Sequence, residues 1–302
     1  MIELNHIKKT YSKGLVTALK DISFSVNHGE LFGLIGPDGA GKTTLFRILT
    51  TLLLADDGTA TVNGLDVVND YKQIRNCVGY MPGKFSLYQD LTVEENLHFF
   101  ATIFGTTIKE NYTLVKEIYQ QIEPFKDRMA GKLSGGMKQK LGLCCALIHK
   151  PDVLFLDEPT TGVDVVSRRE FWEMLRKLKK QGITILVSTP YMDEANLCDR
   201  IALIQKGEIL SIDTLAKIIE SFPKDLYAIK SANIFKLLQD VRSYPGVGSC
   251  FAFGDALHVT FNNSSDKDVI KYLHSKDHTD VSMKLITPSI EDCFIHLLSP
   301  SI

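Results

Sequence analysis

Apolar and polar residues alternate with a period of two near the start of the chain, Ile2, Leu4 and Ile7 first and then Ile22, Phe24 and Val26. This predicts strands with one buried face. Leu31 to Ile35 reads as a buried strand that runs directly into a glycine-rich loop, and Thr43 to Leu54 reads as the helix that follows. Gly58, with Val62, Asn63 and Gly64, marks a return hairpin. From Thr92 to about Lys132 the spacing becomes helical, with Val93, Leu97 and Phe100 on one face and Leu114, Ile118 and Ile122 on another. An inserted helical subdomain over about residues 85–150 is the reading. Parallel-strand character returns at Val153–Leu156 and Ile183–Val187, each preceded by enough helix for a crossover, so the core is α/β.

Past Gly207 and Glu208 comes a short helix, Thr214–Ser221, and then Phe222-Pro223 punctuates the chain. The expected boundary lies there, with one domain over 1–221 and a small one over 222–302. The second stretch reads as a strand at Leu226–Ile229, a helix at Ile234–Val241 and a strand at Gly248–Phe253. A Gly254-Asp255 turn, a strand at Leu257–Phe261, a helix at Asp266–His274 and a strand at Val281–Ile286 follow. That order, βαββαβ, predicts a ferredoxin-like α+β domain.

A length of 302 residues suits one large and one small domain, and 44% hydrophobic with 23% charged residues is ordinary for a folded protein. A net charge of −2 leaves no basic surplus to follow a nucleic-acid backbone. No apolar run approaches the roughly 20 residues a membrane helix requires, so any membrane involvement calls for a second chain. The six cysteines form no CxxC pair and the N-terminus carries no apolar leader, which leads to the expectation of a cytoplasmic protein with reduced thiols.

The glycine-rich loop is Gly36-Pro37-Asp38-Gly39-Ala40-Gly41-Lys42-Thr43, a phosphate loop (P-loop) in the strand-to-helix setting that such loops need. Its glycines allow backbone N–H groups to turn inward around phosphates at a helix N-terminus. Lys42 is expected to neutralise the β- and γ-oxygens of ATP, and the Thr43 hydroxyl to ligate Mg²⁺. Val153 to Leu156 ends in Asp157 and Glu158. A carboxylate at the C-terminal end of a parallel strand faces the ligand crevice, so Asp157 is a candidate to hold Mg²⁺ and Glu158 to polarise the attacking water.

Between these motifs lies Leu133-Ser134-Gly135-Gly136-Met137-Lys138-Gln139, and with it the chain resembles the ABC ATPase family over about residues 2–215. The resemblance implies a P-loop NTPase fold with an ABC-type β-subdomain and a helical subdomain. It also implies that Ser134, Gly135 and Gly136 cap the γ-phosphate of an ATP held by a second ABC subunit. Asp38, Gly39, Ala40, Gly41, Lys42, Thr43 and Thr44 would contact the nucleotide, and Tyr11 would stack on adenine. Pro159 to Asp164 would link the two composite sites.

Gly79-Tyr80-Met81-Pro82, Phe85-Ser86-Leu87-Tyr88, Tyr191-Met192-Asp193-Glu194-Ala195 and Pro288 to Phe294 resemble the ABC-2-type exporters. This implies a transmembrane permease partner touched by residues 85–88, and a place at the inner face of the cell membrane. Two positions depart from the family pattern. Gly83 stands where a Mg²⁺-coordinating glutamine is usual, with Gln89 the nearest glutamine downstream, and Pro190 stands where a switch histidine is usual. Both departures imply a chain whose own site hydrolyses poorly while its signature serves a partner's site. Alternatives are a nucleotide-driven dimerisation or regulatory module, and a soluble ABC ATPase acting on nucleic acid.

Overall fold

The structure is a computed structural model that describes residues 1–262 and 268–298. Two compact units make up the chain, Met1–Leu215 and Ala216–Ile302. The division thus falls after Leu215, where the sequence reading drew it after Ser221.

The first unit opens with the antiparallel strands β1 (Ile2–Tyr11) and β2 (Val16–Val26), followed by β3 (Leu31–Ile35) and α1 (Lys42–Leu49). Helix α1 stops earlier than the expected Leu54, because Thr51 adopts a positive φ of 63° and the Thr50 hydroxyl turns back to the Phe46 carbonyl at 2.7 Å. Arg75 then fixes the Thr51 carbonyl and hydroxyl from outside. The expected hairpin follows as β4 (Asp57–Val62) and β5 (Leu65–Asp66), then α2 (Tyr71–Cys77) and β6 (Val78–Met81).

The helical segment contains α3 (Val93–Ile103), α4 (Ile108–Tyr119) and α5 (Gly135–Leu147). Thr92 and Thr107 each start a helix through a reciprocal capping box, with Glu95 and Glu110 respectively. Strand β7 (Val153–Asp157), helix α6 (Val165–Lys180), strand β8 (Thr184–Thr189) and the antiparallel pair β9 (Arg200–Gln205) and β10 (Glu208–Asp213) complete the unit.

The main sheet has the order β10-β9-β3-β8-β7-β6, parallel except for the edge strand β10, and a smaller antiparallel sheet runs β2-β1-β4-β5. Strand β7 explains why its sequence shows no alternation. Val153 and Phe155 belong to a core shared with the small sheet and α1, whereas Leu154 and Leu156 belong to a core shared with α3 to α6. A strand buried on both faces has no polar side to display.

The second unit follows α7 (Leu215–Glu220) with β11 (Leu226–Lys230), α8 (Ile234–Arg242), β12 (Val247–Phe253), β13 (Ala256–Phe261), α9 (Val269–Ser275), β14 (Ser282–Ile286) and α10 (Ile290–Leu298). Its antiparallel sheet has the order β12-β13-β11-β14, the ferredoxin-like arrangement expected from βαββαβ. The β12–β13 turn pairs Phe253 with Ala256 around Gly254, whose φ is 57°. Asp266, which the sequence reading made the start of the second helix, lies outside the described residues. Helix α10 was not anticipated as an element. Ser289 and Asp292 cap its start, and the Asp292 carboxylate also holds His258 of β13 at 2.7 Å.

Among the described residues no helix is long and apolar enough to cross a membrane. Replacing Thr92 by Ala removes the hydroxyl that accepts from Glu95 N at 3.2 Å and should cost about 1 kcal/mol. A lower urea midpoint with an unchanged m-value is the measurement that checks this.

Candidate functional site

The C-terminal ends of β3 and β7 carry the residues singled out for phosphate chemistry. The loop after β3 is shaped by contacts that only glycine allows. A Cβ on Gly36 would sit 2.1 Å from the Ile204 carbonyl oxygen, and one on Gly41, at φ 109°, would sit 2.6 Å from Ala18 O. The Gly207 N–H also binds Ala40 O at 3.0 Å, so the loop is clamped between the β9–β10 turn and β2. Asp38 and Gly39 remain exposed at its tip, and Gly39 has φ 77°.

Lys42 is only 3% exposed. Its ammonium donates to Gly36 O at 2.7 Å and Pro37 O at 3.0 Å, and pairs with Glu158 Oε1 at 3.0 Å. Three protons thus meet three oxygens, and the cation stays at the centre of the loop instead of escaping to solvent. Thr43 and Thr44 open α1 and are half-buried. The Tyr11 hydroxyl lies 3.3 Å from Thr44 Oγ1, which brings the aromatic residue proposed for the base to the same helix start.

Asp157 is buried, and its Oδ1 accepts from the Ser188 hydroxyl at 2.7 Å. Glu158 has a left-handed backbone, φ 51°, a conformation that costs a non-glycine residue roughly 1–2 kcal/mol. Its N–H is held by Ser188 Oγ at 2.9 Å, and Thr161 Oγ1 donates to its Oε2 at 3.4 Å. Burial, reinforced by the neighbouring Asp157, pushes the Tyr80 phenol up to about 12.

The structure therefore gathers Tyr11, Gly36 to Thr44, Asp157 and Glu158 at one end of the sheet. Ser134, Gly135 and Gly136 stand apart from them. Ser134 is the N-cap of α5 and accepts from Met137 N at 3.4 Å, and both Ser134 and Gly135 are exposed. The atoms that a Cβ on Gly135 or Gly136 would meet belong to Gly162 and Ser167, not to the phosphate loop. Gln89 packs against Gly131.

A family model described as "ABC transporter" matches residues 19–161. The probable multidrug ABC transporter ATP-binding protein YbhF of Escherichia coli (strain K12) is 39% identical over 311 residues, which cover 99% of this chain and 52% of that protein. This chain thus spans about half of YbhF. The Nod factor export ATP-binding protein I of Sinorhizobium fredii is 36% identical over 300 residues, covering 98% of this chain and 85% of that one. The chain belongs to the ABC transporter ATP-binding family.

Two solved structures agree. The ATP-binding subunit of an ABC transporter superposes with a TM-score of 0.67 at 28% identity, over 74% of this chain and 93% of that one. Dimeric MJ0796, a bacterial ABC transporter cassette, gives 0.65 at 26%, over 71% and 99%.

In this ABC chain the two departures have local geometry. A Cβ on Gly83 would lie 2.9 Å from Asp157 O, so the absent side chain lets the loop after β6 seat on the end of the acidic strand. Pro190 directly follows β8 and is bracketed by a buried polar cluster. Glu194, 1% exposed, accepts from Thr189 Oγ1 at 2.5 Å and Thr160 Oγ1 at 3.2 Å, and pairs with Arg168 Nε at 3.2 Å. In sequence Glu194 was legible only as part of an exporter-like motif.

The Phe85–Tyr88 stretch borders a groove of about 640 Å³ lined by Leu87, Phe100, Phe104, Gln139 and His149 among others. Asn96 fixes the stretch, binding both Tyr88 N at 3.1 Å and Tyr88 O at 2.9 Å. His149 stacks on Phe104 at 3.8 Å, and burial lowers its pKa.

Gly83→Ala drives a methyl group into the Asp157 carbonyl and should cost about 1–3 kcal/mol. The melting temperature of the nucleotide-free variant should fall accordingly, and an unchanged value would contradict the tight approach.

Proposed function

We propose that this chain is the ATP-binding and ATP-hydrolysing subunit of an ABC-2-type membrane exporter, acting with a transmembrane permease and a second ABC ATPase subunit at the inner face of the cell membrane. The observation that supports it best is the Lys42 ammonium at the centre of the loop, within reach of both Glu158 and the loop carbonyls. A phosphate entering the loop exchanges with the Glu158 carboxylate for that cation. This exchange releases Glu158 towards a water molecule.

In this reading Gly36, Asp38, Gly39, Ala40, Gly41, Thr43 and Thr44 surround the phosphates, and Tyr11 stacks on adenine. The hydroxyl of Thr43 and the carboxylate of Asp157 are hard oxygen donors, the type Mg²⁺ prefers, so the residues present fit that ion. Mg²⁺, when bound, neutralises charge on the β- and γ-oxygens. Ser134, Gly135 and Gly136 sit at an exposed helix start, free to cap the γ-phosphate of a partner's ATP, and the neighbouring groove suits a permease segment.

Gly83 offers no carboxamide and Pro190 no imidazole. The site is therefore read as hydrolytically weak, completed in function by a partner's site that uses this chain's signature. The same two positions favour the second reading, a module that binds ATP mainly to dimerise. The relatives' names speak of a multidrug transporter, doxorubicin resistance and Nod factor export, and a drug-like, lipid or polysaccharide cargo is the corresponding class here.

Two measurements test this. Calorimetry with ATP should show binding to the chain and its loss in Lys42→Ala; absence of heat with the native chain would refute the proposal. The chain alone should turn over well below about 1 s⁻¹. Pro190→His should raise that rate towards the about 10²–10³-fold effect typical of one charge-stabilising group. A fast native chain with no gain on substitution would contradict the weak-site reading.

A further inference from the structure

We infer that Ser188 is a positioning residue that sets both acids of the ATP site, aligning Asp157 for the metal and holding Glu158 in its left-handed backbone. The inference rests on the nucleotide reading above and adds a residue to it that no motif marks.

Ser188 is fully buried at the end of β8, in parallel register with Asp157 on β7. Successive side chains of a strand point to opposite faces, so Ser188 and Thr189 serve different clusters. Thr189 turns to Glu194. The Ser188 hydroxyl turns to the acids, accepting the Glu158 N–H at 2.9 Å while donating to Asp157 Oδ1 at 2.7 Å.

The direction of both bonds is forced. A hydroxyl has one proton, a backbone N–H cannot accept it, and the carboxylate has none to give. The serine proton must therefore point to Asp157, and its lone pair to Glu158. The link engages Oδ1 and leaves Oδ2 to the water shell of a metal. It also anchors the peptide of Glu158 at the position where its backbone is strained, φ 51°. The Ser188 carbonyl shares the Glu158 N–H at 3.1 Å, so loss of the hydroxyl weakens that anchor without abolishing it. Asp157, by contrast, loses the only hydrogen bond described to its side chain.

A partner that orients a metal ligand is worth about 10–100-fold in metal affinity. The test uses the whole chain with Mn²⁺ as the metal probe, a non-hydrolysable ATP analogue and electron paramagnetic resonance. Nucleotide binding in EDTA is measured separately. Ser188→Ala should raise the Mn²⁺ concentration for half-saturation of the nucleotide complex by about tenfold, while metal-free nucleotide affinity stays within about twofold. Ser188→Thr, which keeps the hydroxyl, should restore Mn²⁺ binding. Ser188→Cys has nearly the same volume and a poor donor, and should reproduce the loss even if the Ala variant does not fold. An unchanged Mn²⁺ midpoint in the Ala or Cys variant overturns the inference. So does an equal loss of metal-free and metal-bound affinity, which marks a merely structural role. If the native chain binds the analogue neither with metal nor without it, the nucleotide reading itself fails, and Ser188 falls with it.

Discussion

The site depends on a single buried cation. An ammonium inside a protein is tolerated only where oxygens replace its lost water, and Lys42 finds three, two from its own loop and one from Glu158. The first two need the loop to fold over the lysine. The third needs β7 to end beside it. Strand β3, the loop, α1 and the end of β7 are thus held in one arrangement by the solvation of one charge, and the packing of both cores keeps that arrangement shut.

Much of this was legible in the order of the residues. The phosphate loop, the acidic strand end and the serine-glycine helix start have fixed spacings whose backbone requirements leave few alternatives, and the small domain could be traced because Leu257, Val259 and Phe261 alternate so cleanly. What escaped the reading depends on neighbours in space. Ser188 and Thr189 end an apolar strand and look like ordinary solvated residues, yet both are buried, each satisfied by an acid far off in sequence or across a turn. The early stop of α1 escaped for a similar reason. Leu52 and Leu54 continue a helical pattern, but both are exposed, and Arg75 from α2 captures the chain at Thr51.

Gly83 and Pro190 also take on meaning from their surroundings. In sequence each is a missing functional group. In the fold Gly83 is a point of contact, where the loop leading to the exporter-like Phe85–Tyr88 stretch rests on the peptide between the two acids. Pro190 sits in a turn tied down by the contacts of Glu194 with Thr189 and Arg168. Both segments are held by close contacts, Gly83 against the Asp157 carbonyl and Thr189 against Glu194.

The closeness of Gly36 to the Ile204 carbonyl has a consequence for how such a motif travels. The curvature of residues 36–41 is not stored in those residues alone, because a strand entering the fold more than a hundred positions later supplies the wall against which they bend. A graft carrying the same eight letters into a foreign strand–helix junction would bring the spelling but not the mould.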